Sequence, residues 1–359
     1  MVYNLPSLQH IVLLDPQPGV LEACDLPCTT LHKLSKTNVE AGWVWPLLPF
    51  NHPLFILFSS GTTGPPKCIV HGVGGTLLQH LKEHRLHTDL TPHDRLFFQT
   101  SCGWMMWNWM LSALASGTTL VLYEGSPTYP QADMIWNLVR RERVTVLGTS
   151  PAYLQYCRDA GLSPGEQGGL EALRAILSTG SMLMEPHYDW VGEHVKPVSL
   201  QSISGGTDII GCFVLGNPTM PVYRGESPCV ALGMDVHAFD PERQADVSWE
   251  QMGELICATP FPSRPLAFST TPKASGFTTR ISRKTPGSGR TAILSRFMNA
   301  VLPACLAAPM GSSTFVASAS DRLRLTMCCR TFPVLPVRWR SSKATPIHRG
   351  ERVWSCWWF

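Results

Sequence analysis

The densest chemical signal in this sequence is F-S-S-G-T-T-G-P-P-K, running from Phe58 to Lys67. Ser60, Thr62 and Thr63 supply hydroxyls, Gly61 and Gly64 supply conformational freedom, and Lys67 supplies a positive charge. Glycines let several backbone N–H groups converge on one point, and hydroxyls and an ammonium strengthen that field. The combination suits the phosphates of a nucleotide. It is not a Walker loop, whose Gly-Lys-Ser runs straight into a helix. Pro65 and Pro66 block such a continuation here. Taken alone, the string also reads as a plain Gly/Ser turn. A second cluster is weaker. His71, His80, His84 and His87 recur near helical spacing, and His80 and His84 lie four apart like a metal pair. No acidic residue completes an H-E-x-x-H motif, so they read as solvated helix residues, as do His187 and His194.

The elements that must hold these groups follow from periodicity. Short apolar runs predict strands at 10–14, 54–58, 96–99, 119–123, 144–147, 175–177 and 198–203. The 54–58 strand leads directly into the Ser60–Lys67 loop. Helical patterns fall between several of these runs. Residues 75–87 place Leu77, Leu78 and Leu81 on one face. Residues 131–141 do the same with Met134, Ile135, Leu138 and Val139, after Pro130 at the expected first turn. Residues 151–160 follow Ser150, an expected N-cap. This alternation predicts an α/β fold with mostly parallel strands flanked by helices. From about Val230 the pattern changes to short strands at 231–239 and 253–257, which predicts a small β subdomain.

Composition bounds the function. With 359 residues, 44% of them hydrophobic and 15% charged, the chain can bury a core. It has no apolar run of the ~20 residues a membrane helix needs, so no membrane partner is expected. The 12 cysteines contain no C-x-x-C pair and read as reduced thiols of a cytoplasmic protein. The net charge of +3 conceals a split. Residues 1–268 hold 15 basic and 24 acidic residues, a balance of −9. Residues 269–359 hold 14 and 2, a balance of +12. Such asymmetry marks a tail that follows different rules.

The loop resembles the phosphate-binding motif of the adenylate-forming synthetases, the superfamily of acyl-CoA synthetases, luciferases and peptide-synthetase adenylation domains. Further matches follow in that family's order: S-T-G-S-M-L at 178–183, S-G-G-T-D-I at 204–209 and G-E-L-I-C at 253–257. Together with G-W-M-M-W-N-W at 103–109 and P-V-Y-R-G-E at 221–226, they are most similar to members that activate acetoacetate. The resemblance covers roughly residues 5–268. It implies the core of the family's large N-terminal domain, acting as an ATP-dependent acid–thiol ligase that passes an acyl-adenylate to CoA. It further implies that Ser60, Gly61, Thr62, Thr63, Gly64 and Lys67 cradle the β- and γ-phosphates. Gly180 and Ser181 would line the adenine pocket. Ser204, Gly205, Gly206 and Thr207 would bind the nucleotide, with Thr207 donating to the α-phosphate. Asp208, in place of a usual glutamate, would hold Mg²⁺ with a shorter reach. Trp104, Met105, Met106 and Trp107 would line the acyl pocket, although aromatic and Met residues at this density also fit ordinary helix burial. Gly205 stands where acetate-using relatives carry a tryptophan, and its lack of bulk would leave room for a longer acid. Asn108, Ser204 or a backbone N–H would meet the keto group.

The chain also departs from the family. After Phe268 no aromatic-Gly-Asp ribose motif, hinge or lysine-bearing lid domain is recognisable. The abrupt switch to Ser, Arg, Pro, Cys and Trp is typical of coding sequence read out of frame, so residues 269–359 are expected to be irregular. A partial AMP-binding domain at 1–268 would then act on small molecules (acetoacetate, ATP and CoA) without nucleic acid. The alternative is a non-catalytic remnant whose basic tail grips an anionic partner such as nucleic acid. The tail carries no recognisable nucleic-acid module.

Overall fold

The structure, a computed structural model, describes residues 8–14, 26–36, 44–59, 67–240, 243, 245–246, 253–268, 282–284, 291–294 and 352–356. Strands β1 (Ile11–Leu13) and β2 (Cys28–Thr30) pair in parallel ahead of a short helix, α1 (Leu31–Ser35). An antiparallel hairpin follows, β3 (Pro53–Ser59) and β4 (Lys67–Gly72). Helix α2 (Val73–Lys82) continues into a π-helical turn at Glu83–His87. Strand and helix then alternate: β5 (Arg95–Phe98), α3 (Met105–Ser112), β6 (Thr119–Glu124), α4 (Met134–Arg141), β7 (Val146–Thr149), α5 (Pro151–Asp159), β8 (Ala175–Ser178), α6 (Glu185–Trp190) and β9 (Ser199–Ser202). Short strands close the body: β10 (Ser204–Gly206), β11 (Gly211–Leu215), β12 (Cys229–Val230), β13 (Val236–Asp240), β14 (Ala245–Asp246), β15 (Glu254–Cys257) and β16 (Ala267–Phe268). Beyond them lie β17 (Ser282–Lys284), β18 (Thr291–Leu294) and β19 (Arg352–Cys356).

The central sheet runs β19-β6-β5-β7-β8-β9, with its last five strands parallel. Side chains on a strand alternate between faces, and both faces here are covered by helices. Leu96, Phe98, Leu120, Val146 and Leu177 therefore join one core with Met106, Trp109 and Met110 of α3. Phe97, Val121, Leu147, Ile176 and Leu200 join a second core with Trp136 of α4, Leu154 of α5 and Trp190 of α6. Helix α5 begins as its sequence predicts: Ser150 Oγ accepts from the Tyr153 amide at 3.3 Å, with Pro151 in the first turn. The expected β subdomain is the antiparallel sheet β14-β13-β15-β18-β17.

Three sequence expectations need correction. Leu77 and Leu78 of α2 face outward, and the buried side carries Gly75, Thr76, Gln79 and His80. That polar stripe continues through Glu83, His84 and His87, and His71 is buried on β4. These histidines are therefore interior groups, because the elements they meet present backbone carbonyls that need donors. Helix α4 starts at Met134, past Pro130, because residues 131–133 form a turn ahead of it. Finally, of residues 269–359, expected to be irregular, the described ones form three short strands, β17, β18 and β19. β18 extends β15 and β19 extends the edge of β6, so each finds backbone partners on an existing sheet edge.

Candidate functional site

In an open parallel sheet, the crevice beyond the carboxyl ends of the strands is where ligands bind. Three of the segments picked out by sequence leave from those ends, whereas the 60–66 connection belongs to the antiparallel hairpin β3–β4. Helix α3, with Met105 and Met106, follows β5; Gly180 and Ser181 follow β8; Ser204, Gly205 and Gly206 follow β9. Gly180 has φ +96°, a left-handed conformation suited to glycine. Trp104, just ahead of α3, lies against it: a Cβ built on Gly180 would stand 3.8 Å from the indole. The adenine-pocket candidate and the acyl-pocket candidate are thus neighbours. Met105 and Met106 are buried in the core, whereas Trp104 and Trp107 are half-buried. The two tryptophans are the members of that group with surface left to offer a ligand.

Ser60, Gly61, Thr62, Thr63 and Gly64 lie outside the described residues. The hairpin that carries them is described: Ser59 pairs with Lys67, so residues 60–66 form its connection. The strand β4, which sequence reading missed, contacts the second motif near its C-terminal end. His71 on β4 donates from Nε2 to the Thr207 carbonyl at 2.8 Å. The turn that follows, Thr207–Ile210, joins β10 to β11. Thr207 and Asp208 are half-buried there, and Asp208 has an interaction partner. Ile210 adopts φ +49°, which costs a β-branched residue about 1–2 kcal/mol. Strain of this kind persists only where surrounding contacts hold it.

Those contacts come from buried polar side chains. His80 Nε2 donates to the Ile210 carbonyl at 2.7 Å, and Ser263 Oγ donates to the Ile209 carbonyl at 2.7 Å. His84 Nε2 donates to the Trp109 carbonyl at 2.9 Å. Carbonyls only accept, so each of these rings carries its proton on Nε2. Burial pushes His71 and His80 down to about 4 and His84 to about 3, and all three are neutral at ordinary pH. Glu83 is fully buried and accepts from Gln79 Nε2 at 2.6 Å, Trp109 Nε1 at 2.7 Å and the Cys212 amide at 2.7 Å. Burial raises its carboxyl, while Lys82 and these donors pull the other way. Glu83 thereby links helix α3 to the strand that leaves the Thr207 turn.

Gly205 has a nearer explanation than the one its position suggests. A Cβ there would sit 1.9 Å from the Gly211 carbonyl oxygen and 2.5 Å from Cys212 Cα. The pairing register shifts between Ser204 and Gly205, and the two backbones meet too closely for any side chain. The glycine permits close approach of β10 and β11, and a side chain on it would point at β11 instead of filling an acyl pocket. Magnesium can be tested against the donor set. Among the described residues no group of three or more His, Cys, Asp and Glu could hold a metal. One carboxylate, Asp208, suits an ion that takes most of its ligands from phosphate and water.

A parallel α/β sheet with these segments at its carboxyl edge defines a class, and the comparison with known families agrees. The chain belongs to the AMP-binding enzyme family, whose model matches residues 22–264. Its relatives are specific. It is 45% identical over 297 residues to the acetoacetyl-CoA synthetase of Mus musculus, covering 80% of this chain and 44% of that protein. It is 52% identical over 230 residues to the acetoacetyl-coenzyme A synthetase of Rhizobium meliloti (strain 1021), covering 64% and 35%. The solved acetoacetyl-CoA synthetase from Streptomyces lividans matches with a TM-score of 0.71 and 37% identity, covering 81% of this chain and 46% of that one. The chain thus spans less than half the length of these relatives. Among the described residues no helix is long and apolar enough to cross a membrane.

Proposed function

We propose that this chain carries the nucleotide- and acid-binding part of an acetoacetate–CoA ligase. In the proposed reaction the carboxylate of acetoacetate attacks the α-phosphate of ATP, pyrophosphate leaves, and the thiol of CoA then displaces AMP from the acyl-adenylate. The first step drives one anion onto another, so fixed donors must lower its barrier. Ser60, Gly61, Thr62, Thr63, Gly64 and Lys67 hold the β- and γ-phosphates in this reading. Thr207 donates to the α-phosphate, and Gly180 and Ser181 flank the base. Ser204, Gly205 and Gly206 carry the backbone beneath the nucleotide. Asp208 holds Mg²⁺, which supplies charge neutralisation on the phosphates when bound. Trp104 and Trp107 face the acid, with Met105 and Met106 packing behind them.

The observation that carries this reading is the 2.8 Å bond from His71 to Thr207, which joins the strand leaving the 60–66 loop to the second phosphate motif. Acetoacetate is preferred over other acids because the relatives named above bear that name. The test is ATP–pyrophosphate exchange with acetoacetate, acetate or butyrate. Exchange driven best by acetoacetate supports the proposal. Exchange with none of them, alongside salt-sensitive RNA binding lost on removal of residues 269–359, would favour a binding protein instead.

A further inference from the structure

The Thr207–Ile210 turn is held by side chains from three separate parts of the fold. The Thr207 carbonyl accepts from His71 on β4, the Ile209 carbonyl from Ser263 in the segment before β16, and the Ile210 carbonyl from His80 on α2. All three donors are at most 2% exposed. Local turn bonds are long by comparison: Ile209 N to Gly206 O is 3.2 Å and Ile210 N to Thr207 O is 3.3 Å. The turn's shape therefore depends on distant donors.

The choice of residue types is informative. His71 Nδ1 is buried without a hydrogen-bond partner. An apolar side chain would avoid that cost, so packing alone does not account for an imidazole here. Its other nitrogen makes one bond, and that bond ties the exit strand of the 60–66 loop to Thr207. His80 is fixed at both ends, with Nδ1 paired to Ser112 Oγ at 2.8 Å on the helix that follows Trp104. The left-handed Ile210 is thus locked to the helix of the acyl-pocket candidates.

We propose that His71, His80 and Ser263 are positioning residues that hold the Thr207–Ile210 turn in register with β4, so that Thr207 and Asp208 are already set for a phosphate before nucleotide arrives. This rests on the phosphate-site reading of that turn. None of the three touches the reacting atoms in this account.

The test uses the full chain with paired variants: His71→Met against His71→Gln, His80→Met against His80→Gln, and Ser263→Ala against Ser263→Thr. The first of each pair removes the donor at similar size, and the second keeps one. Two readouts are taken: amide hydrogen exchange without nucleotide, and MgATP affinity by titration. Each donor-deleting variant is expected to speed exchange at Ile209, Ile210 and Cys212 by about tenfold and to weaken MgATP by about five- to tenfold, the scale of one lost hydrogen bond. Exchange at Leu147 and Ile176 in the central sheet should not move, and the Gln and Thr variants should recover most of both effects. Unchanged exchange at the turn overturns the clamp. So does faster exchange that rises equally at Leu147 and Ile176, which is global loss of stability. A wild-type chain that fails to bind MgATP overturns the phosphate-site reading. Normal wild-type binding with unaltered variants overturns the clamp alone.

Discussion

Asp208 and Gly205 lie three positions apart and make opposite kinds of prediction. Asp208→Asn removes a charge from a half-buried turn without changing its shape. The Mg²⁺ concentration needed for half-maximal nucleotide binding should rise at least about tenfold, while the melting temperature stays within a few degrees. An unchanged metal requirement would remove Asp208 from the proposed metal site. Gly205→Ala drives a methyl into the Gly211 carbonyl at 1.9 Å. Denaturant titration should show a loss of about 1–3 kcal/mol, the range for overpacking. Gly180→Ala meets only an indole edge at 3.8 Å, and its cost is the strain of φ +96°, about 1 kcal/mol. The Ser60–Lys67 string stands out in sequence because its chemistry is local, although residues 60–66 lie outside the described residues. His71 was not, because its partner Thr207 is 136 positions away and no spacing rule connects them. The signal that existed was a polar stripe, Thr76, Gln79, His80, Glu83, His84 and His87, at helical intervals beside leucines.

At the scale of elements, helix α2 is inverted relative to its leucine pattern. Periodicity places apolar residues inward only when the neighbour is apolar. Here the neighbours are an irregular turn and the backbone of α3, which demand donors. The strands of the central parallel sheet, β5 to β9, were legible because β-branched and apolar runs bury on both of its faces, whatever packs above them. Burying neutral histidines has a pH consequence. His71, His80 and His84 titrate near 6.5 when unfolded but at about 4, 4 and 3 when folded. Between pH 6.5 and about 4 the unfolded chain takes up protons that the folded chain does not, so stability falls as pH falls. Each group contributes up to about 1.4 kcal/mol per pH unit in that window. His87 shifts the same way. Glu83 has the opposite sign, since its raised carboxyl gains stability on protonation, and the histidine slope is an upper bound. Urea midpoints measured from about pH 7.5 to 5 should decline steadily and be flat above neutrality. His80→Gln should remove about one proton from the slope. A midpoint that stays constant down to pH 5 contradicts the burial of these rings.

For the whole molecule, the exposed apolar groups of residues 44–56 stand out. Val44, Trp45, Leu47, Phe50 and Ile56 are all exposed, with Leu77 and Leu78 of α2. Soluble chains seldom leave large apolar surfaces open. Leu47→Ser with Val44→Ser should raise solubility and lower binding of an apolar fluorescent dye without lowering the urea midpoint. A clear loss of stability would show that these side chains are packed. The charge division at Phe268 makes a separate prediction. Reading the coding sequence beyond that codon in the other two frames should restore an aromatic-Gly-Asp segment, and failure in both frames contradicts the out-of-frame reading of the tail.

The proposed function requires that residues 60–67 and Thr207 both bind the phosphates of one nucleotide. The direct measurement is equilibrium binding of MgATP to the full chain and to its Lys67→Ala and Thr207→Ala variants. The account predicts saturable wild-type binding that weakens with magnesium omitted and falls by about tenfold or more in each variant. Binding that is absent in the wild type, or equal in all three chains, would contradict it.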